Sequence, residues 1–436
     1  MKRFFNILLL CAVTFGLAAQ ENTSKEIVKK GWNFGPLPVV GWDSDLGFQY
    51  GACVDIFNYG DGSRYPSYDY KMNFEASTFT GGSSLFRFYG DFKTLIPDGR
   101  LFLDCTYFNA KKFDFYGFNG YASPYLGSDF GKADGETSEF YWMRRNQFRL
   151  IASMQRRITG NLHWAAGFGY YNISTGNIDL EDYDGQNTLY QLYRNAGLIR
   201  DNEAKGGNVL QLKAGLVYDT RDHDSDPTRG VNIEATIVGA PDIIDSEGYS
   251  NLGFTFVGSH YVPVWKDKLT FAYRLGVQTN LAGEIPYYFI NNLNTLFFRK
   301  VYTEGLGGNA SVRGINRNGV VGNGMAWFNA EIRWRIVNFR AINQNFHIAL
   351  NPFFDMGQVI DSYRLDEQKA VGAAFEGDEK INPFYSGDDE KLHATAGCGL
   401  KIVMNRNFVI SVEMARAFDK RDGEKLWNNI GFNYLF

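Results

Sequence analysis

Apolar and polar residues alternate with a period of two along most of the chain. In "LGFQYGACVDI", Leu46, Phe48, Tyr50, Ala52, Val54 and Ile56 share one face, while Gly47, Gln49, Gly51, Cys53 and Asp55 share the other. The same rhythm sets Tyr68, Tyr70, Met72, Phe74 and Ala76 against Asp69, Lys71, Asn73, Glu75 and Ser77. It returns in "FNAEIRWRI", where Phe328, Ala330, Ile332, Trp334 and Ile336 oppose Asn329, Glu331, Arg333 and Arg335. Successive side chains leave opposite sides of a strand, so each run predicts a strand with one apolar and one polar face. Counted back from the end, such runs fall at 426–436 (of which 428–436 would meet the opening strand), 408–418, 392–404, 346–359, 326–338 and 268–280. They continue at 251–264, 230–239, 208–219, 161–173, 145–157, 101–112, 85–92, 67–79 and 46–57. A short opening strand at 37–42 completes a set of sixteen.

A soluble sandwich would turn the apolar faces inward. Here the apolar faces are crowded with Phe, Tyr and Trp, and the polar faces mix charges with glycine. Many runs reach about ten residues, the length of a tilted strand crossing an outer membrane. Short turns such as "TGN" (159–161) and "WKDK" (265–268) alternate with long connections at 114–139, 174–205, 281–324 and 360–391. Short periplasmic turns and long outer loops are the asymmetry of an outer-membrane barrel. The prediction is an all-β fold: a transmembrane antiparallel β-barrel of about sixteen strands over 36–436, with both termini periplasmic.

Composition narrows the chemistry. Aromatics make up 16% of the chain, with 48 glycines and 11 prolines, and the net charge of -4 shows no basic patch for nucleic acid. At the N-terminus, Lys2 and Arg3 precede the apolar "FFNILLLCAVTFGLAA", which ends in small residues. That is a secretory signal peptide at 1–19, cleaved between Ala18 and Gln20, with Cys11 too deep in the apolar core for a lipid anchor. About sixteen residues, 20–35, then form a short periplasmic segment. Cys53, Cys105 and Cys398 are too few and too scattered for a disulfide framework. No HExxH, CxxC or GxSxG occurs, and His163, His223, His260, His347 and His393 fall in no recognisable site. No metal, no cofactor and no enzyme activity are expected.

One loop stands apart. The connection 281–324 is far longer than a hairpin needs, and it holds "LGGNASVRGINRNGV" with Arg313 at its centre. "SVRGINRNG" resembles the VRG(Y/F) motif in the sixth outer loop of the BamA/TamA superfamily of insertases and translocases. "YDTRDHDSDPTRG" (218–230) resembles the family's strand–turn–strand with its Pro-Thr-x-Gly corner, carried here by Asp219, Arg221, Asp222, Pro227, Thr228 and Gly230. "AEIRW" (330–334) is similar to the strand that follows the loop, and "FFDMG" (353–357) to an F-x-D-x-G motif. The resemblance covers roughly 208–436. Ile315 departs from it, standing where an aromatic is usual.

The resemblance implies a loop folded into the lumen, with Val312, Arg313, Gly314 and Ile315 at its tip. Its arginine would meet Glu331 and Asp355 on the wall, with Gly357 allowing close approach. A guanidinium in a partly desolvated lumen needs such carboxylates, because burying it unpaired is costly. It also implies a lateral seam between the first and last strands. Pro36 and Pro38 cannot donate ladder hydrogen bonds, and Gly431 weakens the last strand. A proline that merely begins a strand at the membrane surface would read the same way. Ile430, Phe432, Tyr434 and Phe436 share a face, and a terminal aromatic of this kind is what barrel-assembly machinery reads. Periplasmic POTRA domains, usual in the family, do not fit into 20–35.

The functional expectation is an outer-membrane protein of a Gram-negative bacterium that helps insert or translocate proteins. Its partners would be outer-membrane lipids, client proteins and a separate periplasmic protein replacing the missing domains. The alternative is a passive or gated channel plugged by the same loop, and an embedded hydrolase ranks last.

Overall fold

The computed structural model describes residues 26–43, 46–125, 138–178, 188–244, 246–294, 305–376, 382–423, 426–432 and 434–436. The leader at 1–19 and its cleavage point lie outside the described residues. Alternation produces the strands expected of it. They are β1 (Trp32–Asp43), β2 (Gly47–Asn58), β3 (Tyr70–Phe79), β4 (Ser84–Phe92), β5 (Gly99–Asp114), β6 (Trp142–Thr159), β7 (Leu162–Gly176) and β8 (Gly206–Asp219). The second half holds β9 (Gly230–Ala240), β10 (Asn251–Trp265), β11 (Leu269–Gly283), β12 (Gly324–Ala341), β13 (Gln344–Asp361), β14 (His393–Met404), β15 (Phe408–Ala417) and β16 (Trp427–Phe432). Each strand pairs antiparallel with its sequence neighbours, and β1 meets β16 to close a sixteen-stranded barrel.

Closure leaves two surfaces. Phe48, Tyr50, Phe74, Phe86, Phe168 and Trp334 point outward and are exposed, while Asp55, Asp104, Arg149, Asn329, Glu331 and Asp355 point inward and are buried. Exposed aromatics outside and buried charge inside fit a barrel with lipid around it. Among the described residues no helix is long and apolar enough to cross a membrane; strands make the crossing.

The two ends differ. At the loop end the long connections fold over the mouth, carrying the short helices α1 (Leu189–Asn195) and α2 (Leu365–Ala373). Phe115 packs edge-on to Tyr193 at 5.3 Å and Phe118 to Tyr363 at 4.9 Å. The Asn119 amide donates to the Tyr363 carbonyl at 2.8 Å and accepts from the Tyr363 N–H at 2.6 Å. Arg364 ties this cap together through Glu203 at 2.5 Å and Glu284 at 2.8 Å. The turn end is crossed by polar side chains, with a small buried aromatic cluster of Phe57, Tyr59 and Tyr68 beside the loop after β2.

Two sequence expectations need correction. The opening strand begins at Trp32, five residues before the expected 37, so part of the segment 20–35 belongs to the barrel wall. Pro36 faces Val54 and Pro38 faces Ala52 in unbroken register with β2. The Tyr59 N–H donates to the Gly31 carbonyl at 2.9 Å, which makes the odd positions the bonded pairs with β2. The missing proline donors therefore face the seam, where they interrupt nothing. At the other end β16 stops at Phe432, and the expected regular strand to Phe436 does not form. Tyr434 and Leu435 are buried, the Phe436 carbonyl accepts from Arg333 at 2.6 Å, and the Arg333 guanidinium lies 4.2 Å from the Tyr434 ring. Tyr434 and Phe436 thus leave the outer face that Ile430 and Phe432 occupy. Inward-facing arginine offers them a hydrogen bond and ring contacts that lipid cannot.

Candidate functional site

The connection between β11 and β12 turns back into the lumen. Leu306 and Val320 bridge across its base, and Leu306, Val312, Ile315, Val320, Met325, Trp327 and Val359 form a buried apolar cluster. That cluster seats the loop against β12 and β13. Ile315 packs inside it, so the aliphatic residue fills its place without an aromatic ring.

Arg313 is fully buried at the centre. Its Nε donates to Asp355 Oδ2 at 2.7 Å and its Nη2 to Asp355 Oδ1 at 3.0 Å, a two-pronged grip. The backbone N–H of Arg313 adds a third bond to Asp355 Oδ2 at 3.1 Å. Nη1 donates to Glu331 Oε2 at 3.1 Å and to Glu413 Oε1 at 2.9 Å. The guanidinium stacks on Phe353, 3.6 Å from the ring centroid. Burial by itself lowers the pKa of the guanidinium, but Asp355 and Glu413 outweigh it and hold the group well above its ordinary value. Arg313 is therefore a permanent cation meeting three carboxylates from three different strands.

Glycine makes the approach possible. Gly314 sits at φ +102°, and a Cβ there would lie 2.9 Å from the Ala415 Cβ. A Cβ on Gly357 would lie 2.9 Å from Leu306 and 3.0 Å from Val312. The backbone is pinned as well, since Thr395 Oγ1 donates to the Arg313 carbonyl at 2.6 Å.

Sequence reasoning brought Arg313 together with Glu331 and Asp355 but missed Glu413, Lys401 and Phe353. Lys401 donates to Glu413 Oε1 at 2.7 Å, and Arg333 to Glu331 Oε1 at 2.6 Å, so the acidic trio is braced by two further cations. Alternation in "FVISVEMARA" puts Glu413 on the same face as Ser411 and Ala415. An inward carboxylate two strands from Asp355 was the available signal.

The "DTRDHDSDPTRG" turn joins β8 to β9 and lies across the turn end of the lumen. Arg221 grips Asp219 through two bonds of 2.9 and 2.6 Å, and Asp222 accepts from the Thr228 N–H at 2.8 Å and its hydroxyl at 2.7 Å. Gly230 holds φ +100°, with the Thr220 carbonyl 2.3 Å from where a Cβ would stand. Asp224 pairs with Lys93 and Arg100 on one side, and Asp226 with Arg335 at 2.7 Å on the other. The Pro227 carbonyl accepts from Arg333 at 3.5 Å. Burial alone would raise the Asp226 pKa, but Arg335, His347 and Arg406 draw it down to about 2. His223 is buried beside Arg406, and burial is the larger cause of a pKa near 4. Its neutral Nδ1 accepts the N–H groups of Ser225 and Asp226, both at 3.2 Å. The sequence offered this turn only as a corner; it is a floor.

The residues named for the seam are all near one gap except Phe436. Among the described residues β1 and β16 share two register pairs, Trp42 with Ile430 and Asp43 with Asn429. Below them Gly41 would face Gly431, and a cavity of about 130 Å³ reaches this point, lined also by Asp55, Lys71, Glu75 and Arg87. Among the described residues no group of three or more His, Cys, Asp or Glu could hold a metal ion.

A closed antiparallel barrel with a loop latched inside it defines a membrane-spanning β-barrel protein. The Omp85 superfamily domain matches residues 68–434, most of the chain. The chain belongs to the Omp85 superfamily, whose barrels lie in the bacterial outer membrane. It is similar in structure to BamA from Haemophilus ducreyi lacking POTRA domains 1-3, with a TM-score of 0.54 and 16% identity over 93% of this chain and 70% of that one. It is also similar to CdiB from Escherichia coli, with a TM-score of 0.50 and 10% identity over 93% of this chain and 63% of that one. No curated protein matches the sequence.

Proposed function

We propose that this protein assists the insertion or translocation of proteins at the outer membrane, with the β1–β16 seam as the working element and Arg313 as the latch of the lumen loop. The observation that carries the reading is the contrast between a fully buried five-bond arginine and a seam with two register pairs among the described residues. In this reading the short turns and the Asp219–Gly230 floor face the periplasm, and the aromatic cap faces outward. The signal peptide is cleaved on export, and a periplasmic protein brings clients to the turn end. Outer-membrane lipid next to the seam completes the surroundings, and no step needs a catalytic residue.

The test is refolding of a urea-denatured outer-membrane barrel into liposomes that contain this protein, beside protein-free liposomes and the Arg313→Ala variant. Faster client folding that depends on Arg313 is the expected result. No acceleration, with the protein itself stably inserted, overturns it.

The aromatic cap and the lumen-filling loop also fit a plugged channel. In that second reading Arg313→Ala raises ion conductance in planar bilayers and leaves client folding untouched.

A further inference from the structure

Residues 26–31, just ahead of β1, do not hang free beneath the barrel. Glu26 to Gly31 runs beneath the seam and reaches the turn between β12 and β13. The Ile27 N–H donates to Asn345 Oδ1 at 3.1 Å, and Asn345 Nδ2 donates back to the Ile27 carbonyl at 3.0 Å. One side-chain amide thus satisfies both backbone groups of Ile27. Lys29 Nζ donates to the Asn343 carbonyl at 2.6 Å, and Lys29 is 9% exposed. Ile342 and Asn343 both hold positive φ, as in a tight hairpin turn.

The loop between β2 and β3 runs alongside. It is joined to the same segment by Gly31 N–H to the Gly60 carbonyl at 2.8 Å. A Cβ on Gly62 would lie 2.8 Å from Lys30 and 2.9 Å from the Lys29 carbonyl, so the two pieces lie in direct contact. This loop crosses to the far side too. Asn407 Nδ2 donates to the Tyr59 hydroxyl at 3.1 Å and to the Pro66 carbonyl at 2.7 Å. Asn345 donates to the Tyr65 hydroxyl at 3.0 Å, which donates to Asn405 at 3.4 Å.

On one side of these bonds stand the segment ahead of β1 and the loop after β2, and on the other the β12–β13 hairpin end and the β14–β15 turn. The weak seam lies between them. Among the described residues seven hydrogen bonds of 2.6 to 3.4 Å cross beneath it, against two register pairs in the wall itself. We infer that residues 26–31 and the 59–69 loop form a strap that holds the seam shut from below, and that the seam opens only when Asn345 and Asn407 release it. This rests on the seam being the working element. Of Ile27, Asn345 reads only the backbone N–H and C=O, so that part of its grip is one that another peptide backbone arriving at the turn end can replace. The strap is the chain's own occupant of that position.

The test measures the gap directly. Spin labels are placed at Phe34→Cys on β1 and Ile410→Cys on β15, both outside the strap, in a chain whose Cys53, Cys105 and Cys398 are serine. Pulsed dipolar distances are recorded in liposomes for this background, for added Asn345→Ala, for added Asn407→Ala, and for a chain beginning at Gly31. The truncation keeps the test open if either asparagine variant fails to fold, which heat-modifiable migration on gels reports. A second, longer-distance population in the folded variants is expected. A distance distribution matching the background in all folded variants overturns the strap. Client refolding in the same liposomes separates the two claims. An opened seam without faster client folding keeps the strap and sinks the insertion reading.

Discussion

Two stretches of the wall are built from the same alternating strands and differ in how they close. Between β12 and β13 fifteen register pairs run the length of the strands, and the loop is bolted to their inner face through Arg313. Between β1 and β16 two register pairs remain among the described residues. Polar backbone groups without partners are costly inside a bilayer. Pro36 and Pro38 reduce that cost by removing two donors from the open edge, and β16 ends early with its tail drawn inward. Among the described residues the pairing is thus sparse at one seam, while four strands away the ion pairs hold the β12–β13 wall together.

The largest expected effect comes from breaking the strong side. Arg313→Ala strands Asp355, Glu331 and Glu413 beside each other, and losing one partner of a buried pair costs about 3–5 kcal/mol. The urea midpoint of the folded barrel should fall accordingly; an unchanged midpoint would mean that the loop is not held by charge.

Next in size is the floor under both regions. His223 stays neutral in the fold down to about pH 4, whereas in the unfolded chain it protonates near 6.5. The unfolded chain binds the extra proton between these values, so stability is complete above pH 6.5 and falls as pH drops toward 4. The shift corresponds to about 3 kcal/mol. Asp226, drawn down to about 2, adds a further loss below its ordinary value near 3.8. The protection of the Ser225 and Asp226 amides, as the ratio of intrinsic to observed exchange rate, should fall across the first window. His223→Asn keeps an acceptor without a titrating group and should flatten that response.

A smaller effect is expected at the loop tip. Gly314→Ala puts a side chain at φ +102° against Ala415, a strain of roughly 1–3 kcal/mol. Thermal unfolding should shift down, and by less than in Arg313→Ala. The smallest change sharpens the weak side. Replacing Pro36 and Pro38 by valine restores two seam-facing donors, each worth about 0.5–1.5 kcal/mol if it finds an acceptor. Slower client folding with a more protected β16 is the expected pair of results; faster folding would remove the prolines from the account.

Much of this was legible in the sequence because alternation is a local property. Strand number, inward Glu331 and Asp355, and the long loop all follow from runs of ten residues read one at a time. What stayed hidden depends on pairs far apart in the chain. Glu413 joins Arg313 across 100 positions, and Ile27 meets Asn345 across 318. Nothing near Ile27 marks it as a strap, since its contribution is its backbone. Tyr434 and Phe436 misled for the opposite reason. Their spacing is that of a strand, but inward Arg333 and Arg274, four and five strands away, compete for them.

The most direct test of unequal closure is site-resolved hydrogen exchange of the barrel in a bilayer. Amides of Val40, Ile430 and Phe432 should exchange much faster than those of Asn329, Glu331 and Phe354 on β12 and β13. Equal protection at the two places would contradict the central claim that this barrel keeps one seam weak and the β12–β13 wall sealed.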